Sequence, residues 1–97
     1  MRVYNMTSPR SGREVANQYV IENGSTTVFQ SYNSIIVEID RFNRIITIHP
    51  NWDYSMTTGK YRNAFFEEEG FSGLATKKGL EKAMAEGTYY DYKIVEC

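Results

Sequence analysis

The chain has 97 residues and a formal net charge of −1, from 11 basic and 12 acidic side chains. That balance lacks the positive excess of a generic nucleic-acid binder and is too even for a protein that imitates DNA over its whole surface. A hydrophobic fraction of 41% and an aromatic fraction of 14% fit one folded domain with a modest core, not a disordered segment.

Residues 1–13 carry Thr7, Ser8, Pro9, Gly12 and the cations Arg2, Arg10 and Arg13. This composition predicts a flexible N-terminal arm ahead of a single α+β domain over 14–97. From Val15 to Glu22 the chain alternates, with Val15, Asn17, Tyr19 and Ile21 on one face, and Asn23-Gly24 follows as a tight-turn signal. Thr26 to Tyr32, rich in β-branched and aromatic residues, supplies the returning strand. Asn33-Ser34 is a second turn signal. Ile35, Val37 and Ile39 then face one way, with Glu38 and Asp40 facing the other. Arg41-Phe42-Asn43 turns the chain into a fourth strand, whose Ile46 and Ile48 point to the core.

Pro50 cannot donate to a strand ladder and ends that strand. A helix is predicted to start near Ser55 or Thr57, either of which can cap it. Tyr54, Thr58, Tyr61 and Phe65 mark its apolar face, and Glu67-Glu68-Glu69 with Gly70 closes it. A second helix runs from Ala75 to Glu86, with Ala75, Gly79, Leu80, Ala83 and Met84 inward and Gly87 as its C-terminal cap. Thr88 to Glu96 alternates as a last strand, with Tyr90, Tyr92 and Ile94 sharing a face. The order β-β-β-β-α-α-β predicts an α+β fold: an antiparallel four- to five-stranded sheet with two helices packed on one face.

A lone cysteine, Cys97, leaves no internal disulfide and no cysteine-based zinc site. No bound cofactor or metal is expected. With neither an apolar run of spanning length nor a signal-peptide pattern, the expected location is the cytoplasm, away from membranes.

The richest tract in side-chain chemistry is Ile48 to Phe66, which holds the one Trp and the one His. Thr58-Gly59-Lys60 fails as a phosphate-binding loop, because Tyr54 and Tyr61 stand where the glycine and the metal-binding hydroxyl belong. Ser55 and Lys60 are five apart, the wrong spacing for a Ser-Lys pair on one helix face. His49 and Asp53 are close enough in sequence for an acid–base pair but lack further ligands for a metal. Thr26-Thr27-Val28-Phe29 offers an edge for strand addition. No catalytic residues emerge, and the protein is expected not to be an enzyme.

Phe29-Gln30-Ser31-Tyr32-Asn33-Ser34, then Trp52-Asp53-Tyr54-Ser55 with Thr57-Thr58-Gly59-Lys60-Tyr61 and Phe65, resembles a group of small proteins encoded by bacteriophages, plasmids and other mobile elements of Gram-positive bacteria. The resemblance covers residues 15–96. Members commonly carry His at the position of Tyr61, which argues against an acid–base role there. The resemblance implies a non-enzymatic protein in the host cytoplasm that binds and inhibits a host defence macromolecule. Anti-CRISPR proteins are a prominent class of this size, so the implied partner is a host protein or ribonucleoprotein such as a CRISPR effector. Occlusion of a nucleic-acid-binding surface would then fall to Tyr54, Lys60, Arg62, Glu67, Glu68 and Glu69 as partner contacts. Two alternatives stand beside it: a nucleic-acid-binding regulator using Arg2, Arg10, Arg13, Lys60 and Arg62, and a self-assembling phage accessory protein forming a homo-oligomer.

Overall fold

A computed structural model describes residues 1–97. Five strands come first: β1 (Arg2–Thr7), β2 (Glu14–Asn23), β3 (Thr26–Ser31), β4 (Ser34–Asp40) and β5 (Ile45–Ile48). Helix α1 (Met56–Glu68), a 3-10 turn (Ser72–Leu74) and helix α2 (Lys77–Glu86) follow, and the hairpin β6 (Thr88–Tyr89) and β7 (Tyr92–Glu96) completes the chain. The fold is α+β, as predicted.

The sheet is larger than expected. It has seven strands in the order β1-β2-β3-β4-β5-β7-β6, antiparallel except where β7 runs parallel to β5. The parallel pair arises because the helical segment carries the chain back across the sheet, the kind of long connection that parallel strands need. The flexible arm predicted over 1–13 is instead an edge strand over residues 2–7. Arg2, Val3, Tyr4 and Asn5 pair with Glu22, Ile21, Val20 and Tyr19, and Met6 is buried. Its hydrophobic alternation is short and was masked by the polar loop that follows.

Local irregularities shift which side chains face inward. Asn17 takes a positive φ of 67° and breaks the alternation of β2. Val15 packs on the core before the break, Gln18 and Val20 are buried after it, and Tyr19 and Ile21 turn to the opposite face. In β4 the register slips between Phe29 and Gln30 of its partner, which puts Ile36 in the core in place of Ile35. The β2–β3 turn is Gly24-Ser25, with Gly24 at φ 64° as a two-residue hairpin turn requires. Tyr90 is not a strand residue: at φ 54° it forms, with Asp91, the turn between β6 and β7.

Both helices pack on one face of the sheet and share a single core with it. Phe65 of α1 stacks on Phe29 of β3 at 5.6 Å between ring centroids, and Phe66 meets Phe65 edge-on. Leu74, Leu80 and Ala83 join Ile46, Ile48 and Ile94 in the same cluster. Thr76 caps α2 by accepting from Gly79 N, and Gly87 closes it in the left-handed conformation, as predicted. No helix is long and apolar enough to cross a membrane.

Candidate functional site

Ser55 caps α1: its extended backbone carries a hydroxyl that accepts from Thr58 N at 3.1 Å. The same hydroxyl donates to Thr58 Oγ1, which also lies 3.0 Å from Ser31 Oγ of β3. This buried hydroxyl chain ties the start of α1 to the end of β3. The first-turn amides of Met56 and Thr57 have no intrahelical acceptor and remain at the helix mouth.

Above that chain lies an open pocket of about 510 Å³ between the β3–β4 turn and the N-terminus of α1. Its floor and walls are hydroxyls, from Ser31, Ser34, Ser55, Thr57 and Thr58. Asn33 and Asn51 add amides, and Asn51 Nδ2 donates to Ser34 Oγ at 3.0 Å, joining the two walls. Tyr32 and Tyr54 stand at the rim, 46% and 73% exposed. None of the ten lining residues is charged. The pocket can therefore receive a neutral polar group by hydrogen bonding while aromatic faces cover its flanks.

Tyr32 holds its place by an unusual backbone. It occupies the tight β3–β4 turn at φ 55°, a left-handed conformation that an aromatic residue rarely adopts. Its N–H donates to Asn17 O at 2.7 Å, and its carbonyl accepts from Gln30 Nε2 at 2.8 Å. Beside it, Gln18 is fully buried and neither of its amide atoms has a protein partner. Gln18 opposes Ser31 across the β2–β3 ladder, so a polar row runs beneath the pocket.

The predicted site residues do not form one surface. Tyr54 lies on the pocket rim and Lys60 is exposed on α1 with its ammonium 5.4 Å from the Tyr61 ring. Arg62, expected as a partner contact, is 1% exposed and is a structural side chain. It falls on the buried stripe Thr58, Tyr61, Arg62, Phe65 and Phe66, because a core-facing stripe is wide enough to include a neighbouring position. Its guanidinium donates to Trp52 O at 2.6 Å and to Asn63 Oδ1 at 3.0 Å, and sits over the Trp52 ring. Burial lowers its affinity for the proton, and the Asp53 carboxylate 3.7 Å away opposes that effect.

The acidic triplet divides as well. Glu69 is paired with Arg41 at 3.0 Å, where Arg41 also bonds Glu69 O and Thr27 Oγ1. Glu67 and Glu68 are exposed at the C-terminal end of α1. Partial burial, then the neighbouring Glu69, raises the Glu68 carboxyl above its usual range. A 13-residue helix separates this end from the pocket by about 20 Å.

The His49–Asp53 pair does not form. His49 Nε2 lies 2.6 Å from Glu38 Oε2, its diagonal neighbour on β4, whereas Asp53 bridges Lys77 at 2.7 Å. Thr26 to Phe29 is not an edge, since β3 is paired on both sides.

What sequence reasoning missed was the pocket, although both of its walls were in view. The tract 29–34 and the tract 52–61, which together carried the resemblance, meet across it. The signal was the density of Ser, Thr and Asn in two tracts that each flank a turn.

No curated protein and no solved structure matches the chain. A family model does match, over residues 1–82, a span that contains the whole pocket. On that match the chain belongs to the family of unknown function DUF8033.

Proposed function

We propose that this protein is a non-enzymatic binding module that engages a macromolecular partner through the N-terminal end of α1. The observation that carries this reading is the pair Tyr32 and Tyr54, both exposed, on the rim of a pocket with no charged lining. Exposed aromatic side chains beside a concave polar pocket are the composition of an interface hot spot, where large contact area comes at low entropy cost. Tyr32 is kept there in a left-handed backbone, and strained conformations of this sort cluster at binding sites.

The partner proposed is a host protein or ribonucleoprotein, bound in the cytoplasm by a protein of a mobile element, as the resemblance of residues 15–96 implies. The contact surface differs from the one expected from sequence. Tyr54 remains in it, and Tyr32 joins. Arg62 and Glu69 leave it because each is already paired inside the fold. The same buried Arg62, and Arg2 paired with Glu22, disperse the cations on which a nucleic-acid-binding reading depends.

Affinity capture from host cells, with and without phage infection, tests the proposal. The wild type should retain one defence protein or ribonucleoprotein that a Tyr32→Ala/Tyr54→Ala double variant of equal thermal stability releases. Retention by the double variant, with loss on Glu67→Lys/Glu68→Lys, would move the interface to the other end of the helix and sink this reading.

A further inference from the structure

The two edges of the sheet are finished differently. At one, β6 has two residues, Thr88 and Tyr89, a short strand that leaves few backbone groups unpaired. At the other, β1 has six residues and pairs only with β2. Natural sheets guard a long edge with proline, with charges, or with a covering element. None of the first two lies within Val3 to Thr7, and the one charge of β1, Arg2, is drawn back onto its own sheet. Its guanidinium lies 3.4 Å from Glu22 Oε1 and 4.5 Å from the centre of the Tyr4 ring. Pairing with β2 is regular from Arg2 to Asn5, so the free side of that stretch presents unpaired amides and carbonyls in the alternating narrow and wide spacing of an antiparallel ladder. Val3, at its middle, is 57% exposed.

Unpaired backbone of this kind specifies a strand as its occupant, and the charge pattern favours a second copy of the same strand. A two-fold axis normal to the sheet keeps the helix-covered face of one copy beside that of the other, so residues of the same facing oppose each other. With the axis at Val3, Val3 meets its own counterpart and Arg2 lies across from Tyr4 of the second copy. Asn5 lies outside this central pair of contacts, and no like charges of β1 are directly opposed. Val3 also borders a groove on the uncovered face with Tyr19 and Ile21, and that apolar strip continues across the axis. We infer that the protein forms a two-fold dimer by antiparallel pairing of β1 with β1 of a second copy, extending the sheet to fourteen strands from the seven of one chain.

Sedimentation velocity on the full chain across a wide concentration series is the direct test. A reversible monomer–dimer equilibrium is expected. Val3→Lys should weaken it by about tenfold or more, through like charges brought together at the axis, with an unchanged far-ultraviolet circular dichroism spectrum. Thr88→Lys, at the opposite edge, should leave it unaltered. In a Cys97→Ser background, Val3→Cys should cross-link on mild oxidation. A strictly monomeric profile up to millimolar concentration overturns the inference, as does a dimer that survives Val3→Lys or dissociates on Thr88→Lys.

Discussion

Arg62 and Trp52 hold each other in two ways at once. The guanidinium donates to the Trp52 carbonyl at 2.6 Å and lies 5.3 Å from the centre of the Trp52 ring. A residue of the helix thereby clamps the loop that leads into it. Since that loop carries Asn51, Tyr54 and the cap Ser55, the clamp positions one wall of the pocket. The contact belongs to packing, and its consequence belongs to the site.

Arg62→Ala should cost about 3 kcal/mol, because it empties a buried position and leaves the Trp52 carbonyl without its donor. Arg62→Lys should cost less, about 1–2 kcal/mol, since an ammonium cannot serve both Trp52 and Asn63 with a planar fork. Denaturant unfolding followed by the fluorescence of the single tryptophan measures both.

Asp53 sets a pH dependence. The hydrogen bond from Lys77, with the charges of Lys77 and Arg62, holds its carboxyl below the usual range, and Asp53 in turn raises Lys77. A depressed carboxyl stabilises the fold above its unfolded value and loses that contribution as pH falls through the folded one. A raised ammonium does the reverse, losing its contribution as pH rises through its folded value. The stability difference between wild type and Asp53→Asn should therefore be level near neutrality, then shrink below about pH 3.9 and again above about pH 10.4. Thermal melts across pH check it. A difference that persists in acid would show that the pair contributes no stability.

Tyr32→Asn should stabilise the fold by about 1 kcal/mol while weakening partner capture, because Asn tolerates the left-handed turn that Tyr occupies at a cost. Opposite signs on melting temperature and on capture are the expected result. A loss of both would assign Tyr32 a packing role.

Gly79→Ala runs against helix propensity. Alanine gains about 1 kcal/mol over glycine in an exposed helix, but here a Cβ would collide with the Gly73 carbonyl and stand 3.0 Å from Thr76 Oγ1. The expected outcome is a net loss of about 1–3 kcal/mol in urea unfolding.

Gln18→Met should raise stability by about 1–2 kcal/mol, because it replaces an amide buried without partners by an apolar side chain of similar length. A fall in melting temperature would show that the amide is satisfied in solution.

Several elements are legible in the sequence alone. The caps Ser55 and Gly87, the Gly24 turn and the inward Ile46 and Ile48 depend on a residue and its near neighbours, so local chemistry suffices to place them. The misreadings share a different cause. Asn17 and Tyr32 both adopt positive φ and are joined by one hydrogen bond at 2.7 Å, and each position makes sense only in the presence of the other. The charge of Arg62 suggests a partner contact, yet its helical position lies on the buried stripe beside Tyr61 and Phe65.

The sequence by itself determined the class of fold, the caps Ser55 and Gly87, and the inward facing of Ile46, Ile48, Tyr61 and Phe65, because hydrophobic period and capping chemistry are short-range properties. Only the tertiary structure decided that the first residues are a sheet edge and that β7 runs parallel to β5. It also decided that two distant tracts of hydroxyls and amides enclose one pocket. Those outcomes depend on which strand lies beside which, and backbone pairing of that range carries almost no side-chain signature in the sequence.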